Sequence, residues 1–164
     1  MAAQNTPRQK TTAASKPNGE PTAEAVRSWL SVVQAYNLCD ALLGRELATI
    51  GLRNAEYEIL ANVLREPGLS QQVLAQRCFT AKSHISALLT SMQERGWLRR
   101  ENHPQDARAK SLYLEPQGQA MAERGKLIQT EVVKIMAQAI SPLQMQQIHE
   151  AMLAVNAAFE AQLR

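Results

Sequence analysis

Residues 80–114, TAKSHISALLTSMQERGWLRRENHPQDARAKSLYL, change their hydrophobic period partway along. Ile85, Leu88, Leu89 and Met92 fall at i, i+3, i+4 and i+7, the spacing of one helix face. After Gly96 the period drops towards two: Leu112 and Leu114 point one way, Ser111 and Tyr113 the other. The pattern predicts a helix over 81–95, capped by Thr80 and stopped by Gly96. Two short strands follow, over 97–101 and 111–114, around a polar loop at 102–110. Such a hairpin is too small to form an independent sheet and must lean on the helices beside it.

Upstream, Ser70 is placed to cap a short helix through Arg77, with Val73 and Leu74 facing inward. Before it, Asn54 can cap a helix carrying Tyr57, Ile59, Leu60, Val63 and Leu64, which Pro67-Gly68 ends. Further upstream, Thr22 caps a long helix that Gly51 stops. Its apolar face is broad: Trp29, Val33, Tyr36, Leu43, Leu47 and Ile50, widened by Val26, Leu30, Leu38, Ala41 and Leu42. Downstream, Pro116 opens a helix at its first position, running to about Ile140. Ser141-Pro142-Leu143-Gln144 is a capping box for a last helix. Met145, Ile148, Met152, Val155, Phe159 and Leu163 then form a near-heptad seam suited to another helix. The fold class is mainly α with a small β-hairpin, in the order α-α-α-α-β-β-α-α. Residues 1–21 lack an apolar period and read as a disordered tail. Residues 22–164 form a single domain.

The chain of 164 residues suits one core, and its 4% aromatic content argues against an all-β fold. No apolar run is long enough for a membrane span and no signal peptide is visible, so a cytoplasmic protein is expected. The net charge of +3 is unevenly placed: residues 70–115 carry +3 while residues 22–69 carry −2. A basic middle segment suits an anionic partner. Cys39 and Cys78 make neither a disulfide framework nor a zinc set. His84, His103 and His149 have no companion ligand at helical spacing, so no metal or cofactor is expected. No nucleophile set, phosphate loop or carboxylate pair stands out, and an enzyme has no support.

Helices two to four followed by the hairpin, over 54–115, make a winged helix-turn-helix. With Ile85, Leu88, Leu89 and Met92 on the core, the fourth helix turns small and hydrogen-bonding residues outward. Lys82, Ser83, His84, Ser86 and Thr90 are the candidates for contact with a DNA major groove. Arg99 and Arg100 share the first strand, where one should face a phosphate and the other pair locally. Arg100 and Lys110 are the phosphate candidates. A winged-helix module for protein–protein contact is the alternative.

Residues 103–118, HPQDARAKSLYLEPQG, resemble the wing signature of MarR-type transcriptional regulators, D-P-x-D-R-R-x-x-x-L-x-L-T-x-x-G, at identical spacing. Pro104, Asp106, Arg108, Leu112, Leu114 and Gly118 match. His103, Ala107 and Glu115 depart from it. Leu74-Ala75, the block 80–89 and Glu94-Arg95-Gly96-Trp97-Leu98 resemble the family's helix-turn-helix. The resemblance implies a homodimer joined through helices over 22–50 and 117–163, bound to a pseudo-palindromic operator in double-stranded DNA. It implies that Arg108 reaches a minor groove and that Asp106 orients the wing. It further implies a repressor released by a small aromatic effector, phenolic or carboxylate, or by cysteine oxidation. Arg27, Trp29 and Tyr36 are the effector candidates, with Arg27 as a carboxylate clamp; Trp29 and Tyr36 serve equally as interface core. Cys39 and Cys78 are the oxidation candidates.

Overall fold

The computed structural model describes residues 20–78, 82–103 and 106–163, with the backbone alone for residues 82, 83, 103 and 106–108. The elements are α1 (Ala23–Ala48), α2 (Asn54–Arg65), α3 (Gln71–Arg77), α4 (Lys82–Glu94), β1 (Leu98–His103), β2 (Asp106–Leu114), α5 (Pro116–Ala139) and α6 (Pro142–Gln162). Most of the tail expected over 1–21 lies outside the described residues, as do Thr80, the expected cap of α4, and Ala81. The chain divides into two compact units at Ala35/Tyr36, inside α1, and each is described by itself. Among the described residues, no helix is long and apolar enough to cross a membrane.

In the first unit, Thr22 caps α1: the Ala25 amide donates to its Oγ1 at 3.1 Å. Val26, Trp29, Leu30, Val32 and Val33 are all exposed.

In the second unit, two helices end in the same way. Past α1, Gly51 takes φ +73° and the Leu52 amide reaches back to the Leu47 carbonyl at 3.1 Å. Past α4, Gly96 takes φ +67° and the Trp97 amide reaches the Met92 carbonyl at 2.9 Å. Only glycine adopts this left-handed turn without a steric penalty, so each glycine is a firm stop.

The start of α2 departs from expectation. Arg53 is the cap residue, and Asn54 is the first residue of the helix. The Asn54 Nδ2 is occupied elsewhere, donating to the Asp40 carbonyl at 2.9 Å and the Asp40 Oδ1 at 2.6 Å. The capping acceptor is Glu56, which takes the Arg53 amide at 3.0 Å. On α3, Ser70 is the cap, accepting the Val73 amide at 3.2 Å. That short helix turns Leu74 and Ala75 into the core, which leaves Val73 exposed rather than inward. On α4, Ile85, Leu88, Leu89 and Met92 are buried as their spacing requires.

The strands extend into the segment read as a loop. Leu98 pairs with Leu114, Arg100 with Leu112, Asn102 with Lys110, and the ladder shifts register at Asn102/His103. Backbone pairing needs no apolar side chain, and a strand with both faces solvated shows no alternation to read. A third segment joins the hairpin. The Leu112 amide donates to the Leu69 carbonyl at 3.0 Å, the Gly68 amide to the Leu112 carbonyl at 2.9 Å, and Ser70 bridges to Ser111. This added edge buries Ser111.

Pro116 opens α5, and Ser141 caps α6, its Oγ accepting the Gln144 amide at 3.3 Å. The core gathers Leu47, Leu52, Ile59, Leu60, Leu74, Leu89, Met92, Leu98 and Leu112. None of the described side chains on α6 is buried. Two α5 glycines allow close approach. A Cβ at Gly118 would lie 1.8 Å from the Trp97 carbonyl oxygen, and one at Gly125 would lie 2.4 Å from the Tyr57 ring. Backbone cannot yield as a flexible side chain can. Gly118→Ala is therefore expected to destabilise the fold by about 1–3 kcal/mol, read as a lower urea midpoint; an unchanged midpoint would refute this contact.

Candidate nucleic-acid interface

The interface begins with how α4 and the hairpin are joined. Leu88, Leu89 and Met92 seat one face of α4 in the core, so the opposite face must meet solvent. On that face His84 and Thr90 are exposed and Ser86 is half-buried. Lys82 and Ser83 stand in the first turn, on backbone alone; their side chains lie outside the described residues, as do those of Asp106 and Arg108 on β2.

The two arginines on β1 divide their roles. Arg99 is locally paired, donating from Nε to Glu101 at 2.7 Å and from Nη1 to Glu115 at 3.4 Å. Its guanidinium also lies 4.9 Å from the Tyr113 ring centroid. Arg100 turns towards α4 and donates from Nη2 to Thr90 Oγ1 at 2.8 Å. Thr90 in turn donates to the Ser86 carbonyl at 3.0 Å. Helix and hairpin are thus tied by a hydrogen bond between two residues that the sequence placed on the DNA-facing side. Among the described residues the buried Arg100 Nε has no hydrogen-bond partner. Lys110 is exposed and donates to Asn102 Oδ1 at 2.6 Å, across the ladder.

Behind this surface lies a group that the sequence pattern did not single out. Glu56 is only 1% exposed yet carries a carboxylate. It accepts from the Arg53 guanidinium at 2.7 Å and the Arg95 guanidinium at 2.9 Å. Burial pushes Glu56 upward. The side-chain and backbone hydrogen bonds from Arg53, with the charges of Arg53 and Arg95, outweigh burial and hold it below the ordinary value of 4.5. Arg95 also lies 3.4 Å over the Trp97 ring centroid. A capping-box reading at Arg53 would have found Glu56, since a Glu three residues after the cap is the usual signal.

The effector candidates fall in different units. Arg27 and Trp29 belong to the first, where both are exposed. Tyr36 belongs to the second and lines a cavity of about 660 Å³ with Asp40, Tyr57, Glu58, Arg65 and Cys78. The Tyr57 hydroxyl donates to Gln129 Oε1 at 2.8 Å, closing one wall. Cys39 is exposed and Cys78 buried. Burial, then the charge of Glu58, pushes the Cys78 thiol up to about 11. A thiol so raised is almost wholly protonated at neutral pH and is a poor nucleophile towards oxidants.

Because Glu56 has a lowered carboxyl pKa in the folded state, its stabilisation is complete above the unfolded value and is lost as pH falls through the folded one. Glu56→Gln turns a donor towards the Arg53 amide and is expected to cost about 1–3 kcal/mol near neutral pH. The gap from the unsubstituted protein should close as pH falls below the carboxylate range. Urea unfolding at about pH 7 and about pH 3 measures both, and a gap independent of pH would count against the network.

The model of the MarR family matches residues 50–109. An uncharacterised HTH-type transcriptional regulator of Bacillus cereus is 28% identical over 96 residues, 58% of this chain and 63% of that protein. The match thus spans less than two thirds of that relative's length. The structure of Sco3205, a MarR family transcriptional regulator from Streptomyces coelicolor solved in complex with DNA, superposes with a TM-score of 0.76 at 26% identity. That match covers 86% of this chain and 92% of Sco3205. AbsC, a MarR family regulator from the same organism, is similar in fold, with a TM-score of 0.79 at 22% identity over 88% of this chain and 99% of AbsC.

Proposed function

We propose that this chain, whose residues 50–109 match the MarR family model, is a homodimeric, DNA-binding transcriptional repressor released by a small aromatic effector. The observation that carries the DNA reading is the tie between α4 and β1 through Arg100 and Thr90, on a fold that in Sco3205 was solved bound to DNA. A fixed angle between helix and wing lets one rigid body enter a major groove and reach the next minor groove. Lys82, Ser83, His84 and Ser86 would meet base edges and phosphates at the amino end of α4, where helix amides favour anions. Arg108 would enter the minor groove with Asp106 orienting the wing, and Lys110 would meet a phosphate. Arg100 and Thr90 would act mainly by holding α4 and β1 together. The function is recognition of DNA in the cytoplasm, not catalysis.

Homodimer formation is supported by the apolar side chains that remain uncovered. Ile148, Leu153 and Phe159 on α6 are all at least half exposed, as are Ile135 and Met136 on α5. Apolar surface of this extent marks an interface. Two copies related by a two-fold axis would present their α4 helices to half-sites about one DNA turn, roughly 34 Å, apart. Oxidation at Cys78 is disfavoured by its burial and its raised thiol pKa, which leaves the exposed Cys39 as the oxidation candidate.

Arg108→Ala is expected to weaken operator binding by roughly tenfold or more, about 1–3 kcal/mol, while sedimentation still reports a dimer. Unsubstituted protein should give a two-fold symmetric footprint and an affinity that falls steeply with salt. Unchanged affinity in the variant would sink the wing assignment. A salt-independent complex would sink the DNA reading as a whole.

A further inference from the structure

The cavity beside α2 carries a charge pattern opposite to the one expected of a carboxylate effector. Its floor is one face of α2, where Tyr57, Glu58, Ala61, Asn62 and Arg65 recur at helical spacing. Asp40 is drawn to the amino end of that face by its two hydrogen bonds from Asn54 Nδ2. Asn54 and Glu58 are one turn apart, so the Asp40 and Glu58 carboxylates share one end of the cavity. Burial raises the Glu58 pKa first, and the Asp40 charge raises it further. Among the described residues neither carboxylate has a salt-bridge partner. Among the described lining residues the one cation is Arg65, seven residues beyond Glu58, a rise of roughly 10 Å along the helix. Its charge reaches the Tyr57 hydroxyl, but among the described residues it forms no ion pair with either carboxylate. Tyr36 and Tyr57 add aromatic surface to the same cavity, and aromatic faces attract organic cations as well as rings.

We infer that this cavity selects an aromatic organic cation, with its amine or ammonium group at the Asp40–Glu58 end and its ring against the tyrosines. The assignment rests on the effector reading above and fixes the sign of the ligand's charge. A carboxylate placed there would face two like charges, whereas an ammonium would satisfy both. The volume of about 660 Å³ admits a ligand of one or two rings.

The test is isothermal titration of the full-length protein with three probes of one shape and different charge: phenethylamine, hydrocinnamate and phenethyl alcohol. The amine is expected to bind roughly tenfold or more tighter than the acid, with the alcohol between them. Glu58→Gln and Asp40→Asn preserve shape and should each weaken the amine several-fold while strengthening the acid. If the acid binds as tightly as the amine, the cation assignment falls and the cavity remains an effector site. If the amine binds equally well to both variants, it binds elsewhere and the assignment falls too. If none of the three binds at about 10 mM, the effector reading of the cavity falls and takes the assignment with it.

Discussion

The main-chain groups of Trp97 hold three elements in one place. Its amide closes the end of α4 on the Met92 carbonyl. Its carbonyl accepts the Glu115 amide at 3.0 Å and lies against Gly118 at the start of α5. Its ring is buried and carries the Arg95 guanidinium on its face. Arg95 then leads to Glu56 and the amino end of α2. The helix that would read DNA, the strand that begins the wing and the helix that leaves it therefore share one junction. A buried carboxylate anchors that junction to the core. A charge so deeply buried is tolerated only because both guanidinium partners and a backbone amide satisfy it.

This construction explains why so small a hairpin can hold an orientation. Two strands alone would be marginal in water. Here the base of the hairpin is bonded to Gly68 and Leu69, and its Leu98 and Leu112 are buried in the core with Trp97. Arg100 adds a hydrogen bond from β1 to α4. Surface charge on the hairpin is partly spent on local pairing, as at Arg99. The positive charge of residues 70–115 is therefore not uniformly available to a partner, and its value lies in where Lys110 and the first turn of α4 stand.

The cavity and the apolar surfaces show the same division between composition and placement. Asp40 and Glu58 are unremarkable in sequence, 18 positions apart. Asn54 gathers them by turning its side chain to Asp40 instead of capping its own helix. Glu58 and Asp40 then face a common space in which their charges add. On α6 the reverse holds: the near-heptad seam was plain in the spacing, and none of its described residues is buried within the second unit.

The glycine stops, the serine caps and the core face of α4 were legible because each depends on local chemistry. Gly51 and Gly96 permit left-handed turns, Ser70 and Ser141 cap by their own hydroxyls, and the spacing of Ile85, Leu88, Leu89 and Met92 assigns a face whatever lies opposite. The wing was legible from a spaced set of residues, but its true length was not, since a solvated strand leaves no hydrophobic signature. The roles of Glu56, Asn54, Arg99 and Arg100 were decided only by tertiary structure. Each has several possible partners within reach of its side chain. Which partner it takes depends on elements brought together from distant parts of the chain, where burial makes an unpaired charge or amide too costly to leave.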